Sequence, residues 1–211
     1  MNSAKGDKIL KNDETSKKNH FRGYFLPNNV VCISIIGIFG ALICVLTMVI
    51  PIPVPATQGY INIGDAAVMI SGLLFGPLIG GLSGGIGSAL ADIFLGYGIY
   101  APATFIIKGL EGFLVGIIAN PKKLKSDYRD ILAVLIGGSI MVIGYFLYEI
   151  ILWGFEAALI ETILNGSIQF GLGAFLSLFF AFTARKTIVD SLPNVFIKVF
   201  VFELPETDLK S

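Results

Sequence analysis

Thr104, Lys108 and Glu111 recur at helical spacing inside one apolar stretch of the chain, Tyr145, Glu149 and Trp153 inside a second, and Asn165 and Gln169 inside a third. Residues three or four apart share one face of a helix. Ionisable groups in hydrocarbon are costly, so they face a partner or a polar cavity and mark function. A cavity lined by opposite charges, amides and aromatic rings suits a small polar ring compound, held by hydrogen bonds and stacking. The first reading is therefore a membrane receptor for a small molecule.

The elements that position these side chains follow from composition. Of 211 residues, 55% are hydrophobic and 14% charged, against about 25% charged in soluble domains, and mean hydropathy is +0.80. Spanning hydrocarbon takes about 20 apolar residues. Asn29 to Ile50 is one such run, closed by Pro51, Pro53 and Pro55, which cannot continue a helix. The uncharged stretch between Asp65 and Asp92 is long for one span and short for two. A break at Gly76-Pro77 gives spans at 63–76 and 77–95, and further spans are expected at 102–119, 131–153 and 161–184.

Charge bias supports that division. With six spans, the basic N-terminal tail, the loop holding Lys122, Lys123, Lys125 and Arg129, and Arg185-Lys186 all fall on one side, the cytoplasmic one. Residues 51–62, 96–101 and 154–160 contain no Lys or Arg, as outward loops should. The expected fold is an all-α integral membrane protein with six transmembrane helices and both termini cytoplasmic. Residues 1–27 read as a polar, disordered cytoplasmic tail, 28–186 as the membrane domain, and 187–211 as a C-terminal tail. In that last tail Ile188, Leu192, Val195 or Phe196, and Val199 repeat as in an amphipathic helix on the inner membrane face.

In this topology Lys108 and Glu111 lie roughly 9–14 Å below the outer end of their span, and Glu149 and Tyr145 about 6–12 Å below theirs. Asn165 and Gln169 match them. Three helices thus place polar groups in one outer layer, with almost wholly apolar sequence beneath, which favours a pocket over a through-channel. Each residue also has a structural alternative. Lys108 can pair with Glu111 or with Asp92, Trp153 can anchor at the membrane interface or stack on a ligand, and Asn165 and Gln169 can bridge helices. Asp65 reads as a helix N-cap. The loop Pro51 to Asn62 is stiffened by prolines and pivots at Gly59, so Tyr60 and Asn62 can close over a ligand.

Small residues four apart allow close helix approach. Gly80/Gly84/Ser88 and Gly81/Gly85/Ala89 mark the third span as the crowded centre of the bundle. Gly37/Ala41 and Gly40/Cys44 in the first span serve internal packing or a partner surface equally well. The two cysteines, Cys32 and Cys44, share one helix and fit no zinc pattern, and neither metal nor cofactor is expected.

Several functions are disfavoured. No basic face interleaved with aromatics suggests nucleic acid. The single histidine, His20, sits in the soluble tail, which leaves an intramembrane enzyme only a carboxylate pair such as Glu111 with Glu149. No GxxxxGK[ST] loop occurs, so ATP hydrolysis of the P-loop kind would need another subunit. A self-sufficient secondary transporter of a small polar ring compound is the alternative, although no inverted repeat relates 30–95 to 102–184.

Residues 59–116, GYINIGDAAVMISGLLFGPLIGGLSGGIGSALADIFLGYGIYAPATFIIKGLEGFLVG, resemble the substrate-binding S components of energy-coupling factor (ECF) vitamin transporters, in the branch with riboflavin-type and hydroxymethylpyrimidine-type members. The resemblance spans about 30–185. It implies six spans in the cell membrane and an outward-facing pocket for a vitamin or precursor: hydroxymethylpyrimidine, a pyridoxine-like compound or riboflavin. It also implies a small-residue motif in the first helix that docks on a transmembrane T component coupled to two ATPase subunits. Carried onto this chain, the ligand region falls on Tyr60, Asn62, Lys108, Glu111, Tyr145, Glu149, Trp153, Asn165 and Gln169, and the docking motif on Gly37 with Ala41 or Gly40 with Cys44.

Overall fold

A computed structural model describes residues 20–122 and 126–200. The polar stretch 1–19, and with it most of the expected disordered lead, lies outside the described residues, as does 201–211. The chain begins with strands β1 (His20–Phe21) and β2 (Tyr24–Phe25), then helix α1 (Val30–Val49) and strands β3 (Ile52–Val54) and β4 (Gly59–Ile61). Helices α2 (Gly64–Phe75), α3 (Pro77–Leu95), α4 (Ala101–Ala119) and α5 (Tyr128–Trp153) follow. A last long rod comprises α6 (Phe155–Leu164), a π-helical turn (Asn165–Phe170) and α7 (Gly171–Thr183), before the short helices α8 (Arg185–Ser191) and α9 (Pro193–Phe196).

Local chemistry sets these boundaries. The Asn29 side chain accepts the Cys32 N–H at 2.8 Å and opens α1. Gly76, at φ 84°, ends α2 and delivers Pro77 to the first turn of α3, where a missing N–H does no harm. Asp127 and Asp130 form a capping box at the start of α5.

Among the described residues, five helices are long and apolar enough to cross a bilayer: α1, α3, α4, α5 and the continuous rod Phe155–Thr183. The sixth, α2, has 12 residues, or about 18 Å at 1.5 Å per residue, well short of ~30 Å of hydrocarbon. The expected second span is thus a half-length helix. Two further expectations change. The region 51–62 is a hairpin, with β3 paired antiparallel to β4, so the fold is not purely helical. The outward loop expected at 154–160 is helix, because Gly154 at φ 86° turns the chain within one residue and α6 starts at once.

Helix α3 lies at the centre, packed on α1, α2 and α4. Its glycines permit this: a Cβ at Gly80 would lie 2.7 Å from the Gly112 carbonyl, and one at Gly84 would lie 2.9 Å from the Lys108 carbonyl. Gly40 of α1 is buried against Gly87 of α3, whereas a Cβ at Gly37 would meet nothing within 4 Å. At the end of the bundle away from the β3–β4 hairpin, Phe196, Val199 and Phe200 pack with Tyr24, Phe75 and Val189. The C-terminal stretch thus turns these apolar residues onto protein, its helix broken at Leu192-Pro193. Outward-facing apolar side chains such as Ile151, 80% exposed, leave a surface suited to lipid.

Candidate functional site

The polar stripes converge beneath the β3–β4 hairpin. Lys108 of α4 is 3% exposed and lies in the middle. It pairs with Asp65 of α2 and, at 3.0 Å, with Glu111 one turn along its own helix. Its ammonium sits 5.8 Å from the ring centroid of Tyr145, within the range of a cation–π contact. A lysine in so dry a position needs these partners, since an uncompensated buried charge costs about 3–5 kcal/mol.

Asp65 is not the N-cap expected of it. The helix begins one residue earlier, at Gly64, and the Asp65 carboxylate points inward at 0% exposure. Gln169 donates to both of its oxygens, at 3.1 and 3.2 Å. The carbonyl oxygen of the same Gln169 accepts the backbone N–H of Asn62 at 2.7 Å. One chain of polar contacts therefore runs from the hairpin exit through Gln169 and Asp65 to Lys108. The π turn adds to this geometry. It lies in the middle of a long rod, and its two buried residues are Asn165 and Gln169. Such bulges recur where a helix must aim side chains at a site.

The hairpin forms the roof. Tyr60 of β4 donates to Asp92 of α3 at 2.6 Å and packs on Tyr97 with ring centroids 4.5 Å apart. Burial, reinforced by the neighbouring Asp92 charge, pushes the Tyr60 hydroxyl above its ordinary range and keeps it a donor. Tyr100 donates to the Thr57 carbonyl at 2.7 Å, and Trp153 donates to the Tyr100 hydroxyl at 3.1 Å. Burial, and then Glu161 and Glu149, raise the Tyr100 hydroxyl in the same way.

Of the nine residues read from sequence, Tyr60, Asn62, Lys108, Tyr145, Asn165 and Gln169 line one cavity. Glu111 stands behind Lys108, and Trp153 sits on the outer side of the hairpin, facing Pro53, Gln58 and Tyr97. Glu149 lies behind the lining, where its carboxyl interacts with that of Glu161. The cavity also takes in Thr47, Gly59, Ser88, Asp92, Tyr100, Thr104 and Glu161. Glu161 was within reach of sequence reasoning, because it continues the four-residue spacing of Asn165 and Gln169. Thr47 and Ser88 carried no such signal. The side chains nearly fill the cavity: about 20 Å³ is open to water-sized molecules, room for about one water.

The pairs Gly37/Ala41 and Gly40/Cys44 part company. Gly40 and Cys44 are buried in the bundle, whereas Gly37 and Ala41 are exposed along the outside of α1.

Comparison with known proteins gives a consistent result. Residues 28–186 match the family model described as "ECF-type riboflavin transporter, S component". A Pyrococcus woesei protein, described as an uncharacterized protein in the gap 3' region, is 45% identical over 120 residues, covering 56% of this chain and 78% of that protein. A UPF0397 protein of Streptococcus pneumoniae serotype 19F (strain G54) is 34% identical over 131 residues, covering 61% of this chain and 68% of its own length.

Proposed function

The chain belongs to the family of ECF-type riboflavin transporter S components, a multi-pass plasma membrane protein of vitamin transport, and from this premise we propose that it is the substrate-capture subunit of an ATP-driven importer. Its pocket beneath the hairpin faces outward and takes a vitamin or vitamin precursor such as hydroxymethylpyrimidine, a pyridoxine-like compound or riboflavin. The observation that carries this reading is the closed polar layer around Lys108, built by five helices and roofed by one mobile-sized element, the β3–β4 hairpin, through Tyr60–Asp92 and Asn62–Gln169. Purely structural polar contacts would not require a lid.

In this reading both termini are cytoplasmic and α2 is completed across the membrane by the hairpin and its neighbours. Uptake depends on a transmembrane T component and two ATPase subunits. The docking face is Gly37 with Ala41, since Gly40 and Cys44 are already covered by α3. Close helix packing against another protein requires such an open small-residue face.

Purification in mild detergent followed by mass spectrometry of the released small molecules tests the reading. A near-stoichiometric vitamin or precursor is expected. A chain that comes empty from cells grown in vitamin-rich medium, and that transports alone in liposomes, would replace it with a self-sufficient transporter.

A further inference from the structure

The buried side-chain atoms left unpaired on the lining of the cavity are mostly acceptors. Lys108, the one basic side chain lining it, is committed to Asp65 and Glu111. The hydroxyl protons of Tyr60, Tyr100 and Tyr145 are directed to Asp92, the Thr57 carbonyl and Thr104, and the Gln169 amide donates to Asp65. Against these, Asp92 Oδ2, Glu161 Oε2 and Asn165 Oδ1 have no hydrogen-bond partner among the described residues, and neither has the Thr47 hydroxyl, which can donate as well as accept. All four belong to lining residues that are 4% exposed or less.

Just behind them, both oxygens of Glu149, at 0% exposure, have no donor among the described residues other than the neighbouring Glu161 carboxyl. Glu149 and Glu161 interact with each other, and neither is in an ion pair among the described residues. The imbalance is not confined to that acid pair. Asn165 is uncharged, comes from the π turn, and has a free oxygen on a residue that lines the same cavity. Nor do the acids form a metal centre: no group of three His, Cys, Asp or Glu side chains is placed to hold an ion among the described residues.

A buried acceptor left without a donor is costly, and two adjacent carboxylates resist ionising together. A ligand carrying N–H donors and positive charge relieves both strains. One that carries further acceptors or negative charge worsens both. From this balance we infer that the substrate is a nitrogen heterocycle or amine bearing positive charge and several N–H donors. Its cationic end sits at Glu161 and Glu149, and its N–H groups reach Asp92 and Asn165. Phosphorylated, carboxylated and acceptor-rich neutral rings are discriminated against. This rests on the reading of the chain as a substrate-capture subunit and narrows what it captures.

The test combines ligand release with competition on the purified full chain. Molecules released from wild-type protein are identified by mass spectrometry. Hydroxymethylpyrimidine with its ring amine, pyridoxamine, pyridoxamine phosphate and riboflavin are then titrated calorimetrically. The expected result is a released molecule with a protonatable amine or amidine, an aminated probe that binds at least about tenfold more tightly than riboflavin or the phosphate ester, and a loss of about tenfold in that affinity for Glu161→Gln. If riboflavin or an anionic molecule is released or binds best, the cationic assignment falls while the capture reading stands. An unchanged affinity for the aminated probe in a folded Glu161→Gln protein overturns the assignment as well. If nothing is released and no probe binds, the capture reading falls and takes this inference with it. Should Glu161→Gln fail to fold, the wild-type release and competition decide alone.

Discussion

At the end of the bundle away from the hairpin, Arg185 of α8 and Asp130 of α5 are each 1% exposed and pair one to one. One guanidinium nitrogen lies 2.9 and 3.1 Å from the two carboxylate oxygens. Asp130 also accepts the Asp127 N–H at 3.2 Å within the capping box, and Ser126 ties the same corner to the Ala181 carbonyl at 2.7 Å. At the hairpin end, Lys108 is shared by two acids, and Glu149 and Glu161 pair with no base among the described residues. Both clusters are equally dry. Burial of charge therefore does not separate a structural site from the proposed binding site in this protein. The separation lies in charge balance and not in hydrogen bonding, since Arg185 Nε and Nη2 are themselves buried without a hydrogen-bond partner among the described residues. The Arg185–Asp130 pair balances its charge and fixes where α8 meets α5. The hairpin cluster stays acceptor-rich beside a cavity, as a site awaiting a partner would.

Substitutions can break this contrast. The largest effect is expected at the closed pair: Arg185→Leu leaves Asp130 buried and unpaired and should cost about 3–5 kcal/mol. Thermal unfolding in detergent would show it, with ligand affinity of the folded fraction unchanged. A fall in affinity matching that of the hairpin-end variants would show that the two clusters are not independent. Lys108→Met should be next, at about 3 kcal/mol by the same logic, but with binding lost as well, because Asp65 and Glu111 would repel across the cavity floor.

Glu149→Ala sharpens the comparison, since it removes an acid that has no base to lose. Stability should stay within about 1 kcal/mol while ligand affinity falls about tenfold; wild-type affinity in calorimetry would remove Glu149 from the site. The smallest effect on the isolated subunit is at the membrane face. Ala41→Leu should leave folding and binding within about 0.5 kcal/mol of wild type yet prevent co-purification with the T component. Gly40→Leu, buried against α3, should instead destabilise the bundle. Normal assembly of the Ala41 variant would move the docking surface elsewhere.

The stripes were legible because a helix repeats its faces: Thr104, Lys108 and Glu111 needed only spacing to be placed together, and Gly76-Pro77 announced the break between α2 and α3. Asp65 was misjudged because an acid near a helix start is usually a cap, and nothing local shows that the cap falls two residues sooner, at Ile63, and turns that carboxylate toward Lys108. The two docking pairs of α1 were indistinguishable, since small residues four apart look alike whether they meet α3 or lipid.

The sequence by itself determined the membrane class, the placement of the long helices, the polar layer on α4, α5 and the last rod, and the crowded glycine face of α3. These depend on composition and helical period, which are local. Only the tertiary structure decided that Asp65 and Gln169 join Lys108, that Glu149 and Glu161 face each other without a base, that a π turn aims Asn165 into the cavity, and that a hairpin roofs it. Those pairings join residues from 12 positions apart, for Glu149 and Glu161, to 107, for Asn62 and Gln169, and their partners are set by how helices cross.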